Sequence, residues 1–252
     1  MIINIKVLVF LLLSLSYASA QEMGFGCLGL VGGYIGYCSQ QYQPGGINAY
    51  ILDVNEFNKD SIAVPLSNFN QLKGFRFGLY FFQFTYTGFV VTVKGYYQSL
   101  NEKQDVRFFG PGAVTTIHTY EVISKNIGFG MDVGMEITTS FHWKILESWL
   151  LFNNFQFNTS VNTVFGITSS ETYKDPETNV GYTVGTGFIY YLIDKYVSIE
   201  SSVGVSKLKT NMLKGNSGKY LQLESGNQKS VDNSIQSGGL TVVLQINFSF
   251  PL

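Results

Sequence analysis

Few side chains in this sequence could carry chemistry. His118 and His142 are the only histidines, so a general base working near neutral pH would have to be one of them. A base also needs a nucleophile within reach. His118, in IHTYEV, is followed two positions later by Tyr120, and His142, in SFHWK, by Lys144, so neither heads a His-x-Ser pair. Cys27 and Cys38 are the only cysteines, too few for a disulfide scaffold and without the second pair that a zinc site needs. They stand an odd number of positions apart, so on one continuous strand they would face opposite sides and could not easily bridge. No glycine-rich phosphate loop leads from a strand into a helix. The sequence therefore predicts no catalytic residue, no cofactor and no metal site. What stands out instead is a set of charges isolated in apolar or glycine-rich stretches: Arg76, Lys94, Asp132, Glu136 and Glu200.

The segments that hold these charges alternate with period two, which is a sheet signature. In 75 to 82, Phe75, Phe77, Leu79 and Phe81 share a parity opposite Arg76; in 87 to 97, Phe89, Val91 and Val93 oppose Thr92 and Lys94. From 117 to 137 the odd positions are mostly apolar, and the even ones include His118, Ser124, Asn126, Asp132 and Glu136. In 151 to 167, Phe155, Phe157, Val161, Phe165 and Ile167 oppose Asn154, Gln156, Asn158, Ser160 and Asn162. Segments 180 to 190, 197 to 205 and 240 to 250 repeat the pattern, and the glycine-rich stretch 24 to 37 completes eight strands. The polar parity is rich in Gly, Ser, Thr, Asn and Gln rather than Lys and Glu. That suits the interior of a narrow closed barrel whose apolar face meets lipid. The expected fold is all-β: an eight-stranded antiparallel up-and-down transmembrane β-barrel.

Composition agrees. The 252 residues suffice for one large barrel; 13% charged and 15% aromatic residues, with 27 Gly against 5 Pro, disfavour disorder, collagen and long surface helices. A formal net charge of -1 excludes a generally basic nucleic-acid binder. Residues 1 to 20 read as a secretory signal peptide: Lys6, the apolar run Val7 to Leu15, then Ala18-Ser19-Ala20, which leaves 21 to 252 as the barrel. No later segment has 18 consecutive apolar residues.

Connections alternate as they do in membrane barrels. Tight joins are expected around Thr85-Tyr86 and Asp194-Lys195, with a modest one over 139 to 149. Long polar loops are expected over 39 to 72, 98 to 113, 168 to 178 and 207 to 237, and both termini fall on the short-turn, periplasmic side. Near the short turns Trp143, Trp149, Tyr190, Tyr196, Phe248 and Phe250 would form an interface girdle. In the first long loop, Ile47, Tyr50, Ile51, Val54 and Phe57 recur at helical spacing and predict one short helix, either a lid packed on the barrel rim or a docking face.

This pattern of signal, eight amphipathic strands and the terminal strand LTVVLQINFSF resembles the small eight-stranded outer-membrane barrels, the OmpX-like and OmpA-like superfamily. The resemblance covers the whole mature chain and implies a cell outer-membrane protein, with the lipid bilayer and the barrel-insertion machinery as partners. The family's last strand normally ends on an aromatic residue; here Phe250 is followed by Pro251-Leu252. Some such barrels are lipid A deacylases or acyltransferases, but the His-x-Ser pairing of the deacylases is missing.

Strand parity turns Arg76, Lys94, Asp132, Glu136 and Glu200 into the lumen, where buried charges must be paired. A turn centred near residue 85 makes Arg76 and Lys94 cross-strand neighbours, with acids needed close by. The expected function is a non-enzymatic outer-membrane protein that stabilises the envelope or presents surface loops. The lysine-bearing stretch 207 to 237 could touch a surface ligand or anionic polysaccharide. A small-solute pore or hydrophobic-ligand conduit, and a soluble exported ligand-binding barrel, are the alternatives.

Overall fold

Within the described residues each alternating segment forms a strand, and most strands run longer than the alternation suggests. The computed structural model describes residues 32–109, 115–163, 166–193, 196–225 and 229–249. The expected signal peptide, Cys27, Phe165, the Asp194-Lys195 turn and Phe250 lie outside the described residues. In chain order the elements are β1 (Gly32–Gln43), α1 (Gly45–Phe57), β2 (Gln71–Tyr86), β3 (Phe89–Phe109), β4 (Thr115–Thr138), β5 (Phe141–Thr163), β6 (Gly166–Lys174), β7 (Asn179–Ile193), β8 (Val197–Lys207), β9 (Lys214–Gly215) and β10 (Ser237–Ser249).

Eight of the ten strands close an antiparallel ring in the order β1, β2, β3, β4, β5, β7, β8, β10, and β10 returns to β1. β6 pairs with the far end of β5, beyond the part that pairs with β7, and carries the short β9 on its outer edge. The tight turns fall slightly off the expected positions. β2 and β3 join through Thr87-Gly88, with φ of 49° and 82°, the pair of positive values that a type I′ hairpin turn requires. β4 and β5 join through Thr139-Ser140 alone, so the modest 139 to 149 connection is in fact strand. Most of the expected loop 98 to 113 is strand too, and 168 to 178 divides between β6 and the short turn that follows it.

β4 is 24 residues long, roughly 80 Å at the usual rise, whereas a tilted strand needs only about 9 to 11 residues to cross a bilayer. The outward side chains show where the crossing is. Phe75, Phe77 and Leu79 on β2, Ile127, Phe129 and Met131 on β4, Leu150 and Phe152 on β5, and Val242, Leu244 and Ile246 on β10 are large, apolar and exposed. A continuous belt of that extent needs an apolar medium. The fold is an eight-stranded antiparallel up-and-down transmembrane β-barrel with one short helix in its first long connection.

Beyond the belt, away from the tight turns, the polarity of the wall reverses while strand parity continues. On β3 the outward residues pass from Phe89, Val91, Val93 and Tyr97 to Ser99, Asn101, Lys103, Asp105 and Arg107; the inward ones pass from Lys94 and Gln98 to Leu100, Val106 and Phe108. On β5 the outward face passes from Leu150 and Phe152 to Asn154, Gln156, Asn158 and Ser160, and Phe155 and Phe157 are fully buried inside. This corrects the expectation for 151 to 167, in which Phe155, Phe157 and Val161 met lipid and the amides lined the lumen. Alternation identifies which residues share a face; the surrounding medium decides which face is apolar. Beside lipid the apolar face points out, and beside water it points in.

The interior of this upper section is an apolar core that α1 closes. Ile47, Tyr50, Ile51 and Val54 are buried against Phe69, Leu72, Phe157, Leu213, Val231 and Ile235. Asn48 and Asn55, both on α1, clamp the returning chain. Asn48 donates to Phe69 O (3.0 Å) and accepts from Phe69 N (2.8 Å), and Asn55 does the same with Leu66 (2.9 Å each way). The start of α1 is tied to the last connection: Gly46 N donates to Asn233 O (3.0 Å), and Gln236 N to Gln43 O (2.8 Å). Phe57 departs from the expected buried face. It is 64% exposed, because the last helical turn, where Asn58 N and Nδ2 both bond Val54 O, projects past the core.

Candidate functional site

Beneath the capped core the lumen holds a compact charge cluster. Lys94 arrives from β3, Asp132 from β4, Lys144 and Glu147 from β5, and Glu200 from β8. Lys94 Nζ pairs with Asp132 Oδ2 and lies 3.1 Å from Glu200 Oε1. Lys144 Nζ is 2.5 Å from Glu200 Oε1, 2.9 Å from Glu147 Oε2 and 3.1 Å from Asp132 Oδ2. The second oxygens of two carboxylates are used as well: Asn247 donates to Glu200 Oε2 (3.2 Å), and Trp149 Nε1 to Glu147 Oε1 (2.6 Å). All five charged residues are buried.

Arg76 sits on the edge of this cluster and makes different contacts. Its Nε donates to Gln98 Oε1 (2.9 Å), and its guanidinium lies 3.9 Å over the Tyr96 ring, a cation–π geometry. The expected adjacency of Arg76 and Lys94 is corrected: the register pairs Arg76 with Gln98 and Lys94 with Tyr80, because the β2–β3 turn lies later than expected and a bulge intervenes between Tyr80 and Phe82. Two like charges are thereby separated. With Arg76 included, three cations stand against the three carboxylates Asp132, Glu147 and Glu200, so the buried set is neutral.

Small residues make room for large ones here. A Cβ at Gly128 would meet the Tyr96 ring and one at Gly130 would meet Trp149, so two inward glycines on β4 let these rings lie across the lumen. The rings pack edge to face with centroids 4.6 Å apart. A cavity of about 10 Å³ remains beside them, lined by residues that include Arg76, Glu147, Trp149, Thr183 and Thr241. That is at the lower limit for a single water.

Other expected site residues are placed differently. Glu136 shares the parity of Asp132 but stands exposed at the turn end, where its backbone N–H donates to Gly88 O; it is outside the cluster because the lumen ends before it. Trp149 is 4% exposed inside the lumen and is no part of an outer girdle. Trp143, Tyr190, Tyr196 and Phe248 do face outward at the turn end, and Trp143 Nε1 donates to Thr186 Oγ1 (3.2 Å).

Lys144 and Glu147 escape sequence reasoning, since strict alternation puts positions three apart on opposite faces. A bulge between them sends Ile145 and Leu146 both outward and brings both charges in. The only sign in the sequence is two adjacent apolar residues between two charges.

Each histidine packs against an aromatic ring. His118 packs 4.0 Å from the Phe108 ring with Nε2 3.2 Å from Thr116 Oγ1; burial holds its pKa below the ordinary imidazole value, and Glu224 opposes that shift. His142 packs against Tyr191 (4.8 Å). Above the lumen Tyr50 donates to Glu224 Oε1 (3.1 Å), and burial drives the Tyr50 phenol far above its usual range. Among the described residues no group of three or more His, Cys, Asp or Glu is placed to hold a metal ion.

No protein-family model matches the chain, and no curated protein matches it. Among solved structures it is similar to Ail, the attachment invasion locus protein of Yersinia pestis, at 10% identity and a TM-score of 0.39, over 87% of this chain and 97% of that one. The same protein in complex with the heparin analogue sucrose octasulfate gives 13% identity and 0.38, with the same coverage. Neisserial surface protein A gives 11% identity and 0.31, over 91% of this chain and 100% of that one. At these scores it is the chain's own geometry that carries its functional interpretation.

Proposed function

We propose that this chain is a non-enzymatic integral protein of the cell outer membrane: a sealed barrel that holds a rigid capped structure in water on the extracellular side. The observation that carries this is the polarity reversal along β3 and β5. One end of each strand is dressed for lipid and the other for water, with an apolar core closed by α1 above a neutral charge cluster. A sealed lumen is favoured over a small-solute pore, because buried side chains from Arg76 to Glu200 cross the lumen and the cavity beside Trp149 is about the size of one water. A soluble ligand carrier would need the belt turned inward, opposite to its orientation here.

On this view residues 1 to 20 direct export, the termini lie in the periplasm, and the barrel-insertion machinery assembles the strands. The capped end, with its lysine-bearing connection between β8 and β10, is what a surface ligand or polysaccharide would meet. The deciding experiment is cell fractionation followed by gel mobility of unboiled and boiled protein in detergent. The expected result is outer-membrane recovery with faster migration before boiling. Recovery in the soluble fraction without a shift overturns the proposal, and steady single-channel conductance from refolded protein overturns the sealed lumen.

A further inference from the structure

Lys94 and Asp132 stand in a setting that favours more than an ion pair. The register sets Lys94 of β3 opposite Gly130 of β4, two positions from Asp132, so the two side chains are diagonal neighbours on adjacent strands. Lys94 Nζ rests against Asp132 Oδ2, and the two residues are 1% and 4% exposed. The rings of Tyr34, Tyr80 and Trp149 lie 5.5 to 5.7 Å from the same Nζ. In water an amine and a carboxyl stay ions, because water solvates both charges and, as the product of condensation, opposes it by mass action. Here both groups are withheld from water, and alignment of reacting groups is worth effective molarities of roughly 10⁵ to 10⁸ M.

The three carboxylates of the cluster are not equivalent. Glu147 engages both oxygens, with Lys144 and Trp149, and Glu200 engages both, with the two lysines and Asn247. Asp132 Oδ1 is buried without a hydrogen-bond partner, so nothing ties down the second oxygen of that carboxyl. The lysines differ as well. Lys144 Nζ meets three carboxylate oxygens, one for each ammonium proton, whereas Lys94 Nζ meets two, Asp132 Oδ2 and Glu200 Oε1, and otherwise faces rings.

We propose that Lys94 and Asp132 condense, once the barrel has closed, into an intramolecular amide that joins β3 to β4, with Glu200 and Lys144 moving the protons. Lys94 Nζ first hands a proton to Asp132 Oδ2, which leaves a neutral amine beside a neutral carboxyl. The amine lone pair then attacks Asp132 Cγ. Glu200 Oε1, 3.1 Å from Lys94 Nζ, takes a second proton from the nitrogen. Lys144 Nζ, 3.1 Å from Asp132 Oδ2 and 2.5 Å from Glu200 Oε1, gives a proton to the departing hydroxyl and regains one from Glu200. The Cγ–Oδ2 bond breaks, one water leaves, and Oδ1 becomes the amide carbonyl oxygen. Of the three ammonium protons one stays on the amide nitrogen and two depart with the water. A cation and an anion disappear together, so the buried set stays neutral and is relieved of the desolvation penalty of one pair.

The test measures the intact mass of the full barrel, both recovered from membranes and refolded from urea into detergent, with unboiled gel mobility as the check on folding. Chain held in urea should keep its full mass. Folded protein should become lighter by one water, and peptide mapping should join Lys94 to Asp132. The loss should persist in Lys103→Gln, whose lysine pairs with Asp105 on the outer face, and be absent in Lys94→Met. In Glu200→Gln that retains the mobility shift, the link should form about a hundredfold more slowly or worse. Full mass in folded, membrane-derived protein overturns the proposal, as does a water loss that maps to other residues or is already present in urea. An undiminished rate in folded Glu200→Gln overturns the proton path through Glu200. Should that variant fail to fold, the mass and peptide map of the unaltered protein still decide whether the link exists.

Discussion

Lys144 and Glu147 stand three positions apart on β5, yet both point into the lumen and meet at 2.9 Å. A regular strand would have sent one of them into lipid. The bulge between them completes the neutral cluster, since Lys144 also reaches Glu200 and Asp132. Glu200 is the shared acceptor: Lys94, Lys144 and Asn247 all converge on it.

Replacing Glu200 by Gln keeps the shape but leaves two buried lysines short of a carboxylate. The barrel should lose about 3 to 5 kcal/mol, read as a lower urea midpoint of refolded protein in lipid. Pairing Lys94→Met with Asp132→Leu should cost less than the sum of the two single changes. Additive losses would mean that Lys94 and Asp132 are not coupled.

The reversal at Phe152 and Asn154 predicts that position, not strand, sets tolerance to charge. Phe129→Arg, in the belt, should cost about 2 to 4 kcal/mol if it lies near the midplane, and Gln156→Arg should be close to neutral. Equal effects at both sites would place the lipid boundary elsewhere.

Ile51 is fully buried between α1 and the upper core. Ile51→Ala should cost about 2 to 5 kcal/mol of cap stability. The barrel below, held by its own ladder, should keep its unboiled mobility. Faster amide exchange confined to α1 and residues 66–69 is the expected signature; simultaneous loss of the mobility shift would show that cap and barrel unfold as one unit.

His118 gives the cap a pH dependence. Its folded pKa is held down by burial, so the unfolded chain takes up a proton first as pH falls. Cap stability should be level above the ordinary value of 6.5 and decline as pH drops through it toward the folded value. His118→Phe should flatten that slope between about pH 7 and 5, as read by amide exchange in residues 118–122. An unchanged slope would assign the dependence to another group.

The eight ring strands and the helix over Ile47 to Val54 are legible in the sequence because each depends on local periodicity; β6 and β9, which lie outside the ring, are not. Lys94, Asp132 and Glu200 could be placed in the lumen for the same reason. Phe155 and Phe157 could not, because alternation carries no information about which medium lies outside. Trp149 and Lys144 were hidden by a single bulge, which shifts every later residue of the strand by one face. Arg76 was misplaced by a turn assigned too early, an error that doubles across a hairpin. Phe57 shows a further limit: spacing predicts a helical face but not where its covering ends.

The bonds from Gly46 to Asn233 and from Gln236 to Gln43 join the segment after the first strand to the segment before the last. They therefore span the seam where β1 meets β10 and the cylinder shuts. Helix α1 works as a clasp over that seam, and it can fasten only once the final strand has been delivered. Chains stalled one strand short would keep Ile47, Tyr50, Ile51 and Val54 uncovered. The finished cap is then a molecular receipt for closure.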